Sequence, residues 1–152
     1  MRRHFMQPKL LTNTLDFFTQ SITERVELPF YDVGIQAGFP SPADDFIELS
    51  IDINKEYIKN RDATFFARVK GHYMKNVGIF DGDLLIIDKS IEPQDNKIAI
   101  CQIDGDFTVK RIKIDNDTVW LIAENEAFNP IKVTADNELM IWGIVVASIK
   151  KF

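Results

Sequence analysis

From residue 46 onward the chain alternates short apolar runs with turn-forming residues, and that rhythm confines it to β structure. Within 46–53, Ile47, Leu49, Ile51 and Ile53 recur at every second position, which places them on one face of a strand. Residues 64–70 and 82–88 read as further strands. Residues 97–103 and 107–114 flank Asp104-Gly105, a pair suited to a type I′ turn, and read as a hairpin. Asp115-Asn116-Asp117 then leads into 119–122, and a long apolar strand over 139–149 closes the chain. A short helix fits 54–60, with Asn54 as its cap. Many short strands punctuated by turns specify an all-β (mainly β) barrel or sandwich.

Residues 1–37 differ in character and read as an N-terminal arm ahead of a domain at 38–152. Leu11, Leu15, Phe18 and Ile22 recur at helical spacing, so one amphipathic helix is expected there. Pro29 and Gly34 then break regularity, and 33–42 reads as extended or turn-like. An arm of this size cannot build a core alone, so it must dock on its own domain or on a partner.

The bulk numbers exclude several classes. With 152 residues and a formal net charge of -5, the chain suits one domain and argues against a surface that coats nucleic acid. The lone cysteine, Cys101, rules out an intrachain disulfide, fits a reducing compartment, and lies in the apolar run 98–103, where it reads as core. No apolar stretch approaches the roughly 20 residues of a spanning helix, and no apolar region follows the basic start Met1-Arg2-Arg3-His4. A cytoplasmic protein without membrane contact is therefore expected. Two histidines and one cysteine, far apart, make no metal-ligand spacing, and no glycine motif cradles phosphate, so neither metal nor cofactor is expected.

Four segments carry more specific information. They are Ala37-Gly38-Phe39-Pro40-Ser41-Pro42, Val69-Lys70-Gly71-His72-Tyr73-Met74, the stretch from Asp81-Gly82-Asp83 into Leu84-Leu85-Ile86-Ile87, and Thr108-Val109-Lys110-Arg111-Ile112. In this order they resemble the LexA/UmuD family of self-cleaving serine peptidases. Members carry a Gly-Asp-Ser-Met nucleophile turn, a Val-Lys base strand and a scissile Ala-Gly or Cys-Gly bond. The resemblance covers 37–152. It implies a signal-peptidase-like β fold, Lys110 as the general base, a cleavage site between Ala37 and Gly38, and Tyr73 at the nucleophile position. The short arm makes the chain look like UmuD rather than a LexA repressor with its own DNA-reading domain, so no direct sequence-specific DNA binding is expected. The likeness further implies a homodimer, or a heterodimer with a paralogue. It also implies regulation by the RecA filament on single-stranded DNA, and an accessory role with a UmuC-type translesion polymerase in the SOS response.

The chemistry at the matched positions is mixed. A lysine desolvated in an apolar pocket loses its proton near neutral pH and can then activate a serine hydroxyl. Lys110 has apolar neighbours in Val109 and Ile112, although a lone Val-Lys on a strand more often points to water, and only the resemblance singles it out. Lys110, Arg111 and Lys113 also read as a solvated basic strand face with Lys110 turned inward. A phenol, with an ordinary pKa of about 10, is a poor nucleophile toward a peptide carbonyl, and its ring fills space that a substrate backbone needs. His72 stands where the family has aspartate. Ser41, Ser50 and Ser90 lack a nucleophile-turn context.

Three readings follow. The chain is a UmuD-like accessory protein that has lost self-cleavage at Tyr73, with cleavage in trans by a partner subunit left open. Alternatively, it is an active autoprotease using Lys110 with an unrecognised nucleophile. The third reading is a non-catalytic interaction module that antagonises an active UmuD.

Overall fold

In the computed structural model, residues 15–19, 28–31 and 48–152 are described, and every statement below concerns these. They fall into two compact units, one holding residues 15–19 with 60–152 and the other holding 28–31 with 48–59.

The larger unit is an antiparallel sheet of eight strands. In chain order these are β1 (Leu15–Thr19), β4 (Thr64–Val69), β5 (Leu84–Asp88), β6 (Ile98–Ile103), β7 (Asp106–Asp115), β8 (Thr118–Ile122), β9 (Ile131–Lys132) and β10 (Leu139–Ile149). In space they run β1-β4-β5-β10-β6-β7-β8-β9, so the C-terminal strand sits in the middle. Its register shifts twice, between Val145 and Ala147 against β5 and between Ile141 and Gly143 against β6. Such bulges bend a strand and increase its twist. The fold is all-β, as the alternating pattern requires.

The expected hairpin is β6–β7, with Cys101 opposite Thr108 and Ala99 opposite Lys110. Asp104 and Gly105 take φ of 48° and 89°, the paired left-handed conformations that a two-residue type I′ turn needs and that glycine adopts at little cost. Both faces of β6 are covered. Ile100 packs with Val109, Phe107 and Leu85 in one apolar cluster, while Ala99 and Cys101 pack with Ile112, Leu121 and Ile144 in a second. That is why 98–103 reads as a nearly continuous apolar run rather than an alternation. Cys101 is fully buried, and burial pushes its thiol up to about 12, as befits core sulfur.

The smaller unit pairs β2 (Leu28–Tyr31) with β3 (Glu48–Ile51) antiparallel and continues into α1 (Ile53–Tyr57). The helix is capped by Asp52, whose carboxylate accepts from the amides of Asn54 and Lys55, and not by Asn54. Asp52 precedes the first helical residue and can reach the free amides of the first turn, whereas Asn54 already lies inside it. Ile53, expected at the end of a strand, therefore opens the helix.

One arm assignment is overturned. The helix expected from Leu11, Leu15, Phe18 and Ile22 is replaced at Leu15–Thr19 by β1, which pairs with β4 from Leu15↔Val69 to Thr19↔Phe65. Leu15 and Phe17, two positions apart, are both buried in the first cluster. Period two and period 3.6 share Leu15 in this window, and tertiary packing chose the former. The remaining arm positions of that helix lie outside the described residues.

Candidate functional site

Lys110 lies on β7 at the point where its pairing with β8 has ended, since that ladder reaches only Arg111↔Ile122. Thr108 sits two residues earlier and shares its face of the strand. The lysine is 5% exposed and Thr108 7%. Lys110 Nζ donates to Thr108 Oγ1 at 2.9 Å. Across the ladder stands the fully buried Ala99. Removal from water pushes the Lys110 amine down to about 8, against a smaller opposing pull from Cys101.

The turn that carries Tyr73 follows β4. Gly71 adopts φ of 93°, and a Cβ there would also stand 3.2 Å from the Tyr73 ring. Both facts favour glycine, and the Gly71 amide is held by Asp81 Oδ1 at 2.8 Å. Met74, only 1% exposed, anchors the turn in the core. Its sulfur lies 3.4 Å from the Glu124 amide, and the Asn76 amide donates to the Glu124 carbonyl at 2.8 Å. Asn125, nearly fully buried, donates to the His72 carbonyl at 2.6 Å. The turn is thus clamped to the loop after β8.

These supports place the Tyr73 ring over the lysine. Lys110 Nζ is 4.4 Å from the ring centroid, within cation–π range. On the same ring, Phe128 packs at 4.5 Å between centroids with the planes tilted 39°. The half-buried phenol therefore covers an amine that has little other exposure. Desolvation favours the neutral amine, while an aromatic face attracts the charged one. Lys110 is turned inward, whereas its neighbours pair outward: Arg111 with Glu124 and the Asn96 carbonyl, Lys113 with Asp95.

Three contributors were not legible beforehand. Thr108 had a signal, because i and i+2 on a strand share a face. Asn125 and Phe128 lie in a loop without periodicity, more than 50 residues from the turn they brace, and had none. Of the serines singled out in the sequence, Ser90 gives its hydroxyl to Asp88; Ser41 lies outside the described residues, and the Ser50 side chain does too. Ala37 and Gly38 also lie outside them, in the 32–47 connection between β2 and β3. Among the described residues no group of His, Cys, Asp and Glu is arranged to hold a metal, and no helix is long and apolar enough to cross a membrane.

Comparison with known proteins gives this geometry a context. Residues 29–146 match the Peptidase S24-like family. The chain belongs to that family, the LexA/UmuD family. It is similar to protein SamA of Salmonella typhimurium, at 39% identity over 81% of this chain and 85% of that one. Protein MucA of Salmonella typhimurium is 35% identical over 89% of this chain and 93% of its own. The LexA repressor of Pseudomonas chlororaphis is 41% identical over 77% of this chain, which spans 58% of the repressor's length.

Proposed function

We propose that the protein is a UmuD-like accessory factor for error-prone translesion synthesis in the SOS response, silenced for self-cleavage by Tyr73. The observation that carries this reading is the packing of the Tyr73 ring against the buried amine of Lys110. In a serine–lysine dyad the amine takes a proton from a hydroxyl beside it and then gives it to the leaving nitrogen. Lys110 meets the requirement for the base, with an amine lowered to about 8 and fixed by Thr108. Tyr73 fails the requirement for the nucleophile on two counts, acidity and bulk.

On this reading residues 1–37 are the regulatory arm and 38–152 the peptidase-like domain, and the bond between Ala37 and Gly38 is the one the fold would cut. The protein works in the cytoplasm as a homodimer, or as a heterodimer whose active paralogue cuts that bond in trans. It engages the RecA filament and a UmuC-type polymerase. The extent of the similarity to SamA and MucA, over 81% and 89% of this chain, supports reading it as a UmuD-like form.

A second reading, an active peptidase, draws on one contact: the Thr108 hydroxyl is 2.9 Å from Lys110 Nζ. Its burial on the same strand as the base opposes attack on an incoming backbone. Incubation with RecA on single-stranded DNA separates the readings. The silenced form stays intact while Tyr73→Ser is cut between Ala37 and Gly38. Cutting of the wild type, abolished by Thr108→Val, would reverse the assignment.

A further inference from the structure

β1 is the arm's contribution to the sheet, and it lies at the edge, bonded only to β4. Its two inward side chains are deeply placed. Leu15 is fully buried and Phe17 is 8% exposed. The Phe17 ring lies 5.6 Å from that of Phe65 and meets Phe107 edge-on at 5.3 Å; Phe107 in turn meets Trp142 at 5.0 Å. Without β1, β4 would show a row of unpaired amides and carbonyls beside an open aromatic slot, the two features by which a sheet edge captures an extended peptide.

We infer that the β4 edge is a strand-binding groove whose ligand is the chain's own segment Leu15–Thr19, and that this segment stays bound after the backbone is cut downstream of it. The inference deepens the proposed function in one respect. A cut between Ala37 and Gly38 would sever the arm without freeing it, because β1 is held by the sheet and not by the covalent link. A partner that needs the bare β4 edge must then compete the strand out with one of its own, apolar at alternate positions.

The test needs no self-cleavage, so its failure and that of the proposed function are distinguishable. A flexible insert with a site for an added protease is placed within residues 20–27 of the full chain, and the folded protein is cut. Native size-exclusion followed by intact mass is expected to find both pieces in one peak, which urea separates. A wild-type N-terminal piece that elutes alone overturns the inference. In a second measurement, a labelled peptide of residues 13–21 is offered in excess to the cut protein. It should exchange in at least ten-fold more tightly than the same peptide with Phe17→Ala. Equal uptake of the two peptides, or uptake of neither, also overturns it.

Discussion

Tyr73 and Lys110 come from a turn and a strand 37 residues apart, and meet with the lysine Nζ 4.4 Å from the centre of the phenol ring. The Lys110 amine is buried, donates to Thr108 and is covered by that ring. Under the proposed function, this is a dyad whose nucleophile position has been filled by a ring.

The buried amine should limit stability at neutral pH. Its folded pKa, about 8, lies below the ordinary 10.5. Below pH 8 both folded and unfolded chains carry the proton, and the fold bears the full cost of a buried charge. Between pH 8 and 10.5 the folded state sheds its proton first, so stability rises through that window. Lys110→Met should therefore be more stable than the wild type below pH 8, by at most about 3 kcal/mol. The advantage should shrink toward pH 10.5. Urea unfolding of the two proteins across this range checks it, and a pH-independent difference contradicts it.

Thr108→Val removes the oxygen that receives the Lys110 amine. The cost should be about 1–3 kcal/mol near pH 6.5, where the ammonium is left without an acceptor, and less above pH 9. The amine should titrate lower still, which NMR of the lysine side chain would follow.

Asn125→Ala should loosen the Tyr73 turn. Its side chain bonds the His72 carbonyl at 2.6 Å and the Ala127 amide at 2.9 Å, tying the two loops together. Loss of about 2 kcal/mol is expected. Hydrogen exchange at 72–77 should rise while β6 and β10 keep their protection.

At the opposite end of β10, Lys150 bonds both carboxylate oxygens of the buried Asp83, at 2.9 and 2.7 Å. Asp83 Oδ2 also receives the Phe80 amide. Lys150→Met leaves that carboxylate without its cation. Because the lysine is partly exposed, a cost of about 2 kcal/mol is expected, below that of a fully buried pair. A change within 0.5 kcal/mol in urea unfolding would show the pair to be inert.

The sequence disclosed these features unevenly, for physical reasons. Strands β4 to β8 and β10 were legible because apolar runs and turn residues agree there, most clearly at Asp104-Gly105, where both φ values are positive. β9 was not, since Ile131–Lys132 is too short to carry a period. β1 was misread as helix because Leu15 fits either spacing and the choice rests on Phe65 and Phe107, residues far along the chain. At the site, Lys110 and Tyr73 were found by resemblance, whereas Phe128 and Asn125 reach them through loop contacts that no local pattern encodes.

The most direct test of the account is intact mass after long incubation at alkaline pH, with the wild type beside Tyr73→Ser and no partner present. Above pH 8 the Lys110 amine is free to act as a base. The account predicts that only the serine variant breaks, between Ala37 and Gly38, while the wild type keeps its full mass. A wild type that cuts itself at that bond, or a folded serine variant that stays whole, would contradict it.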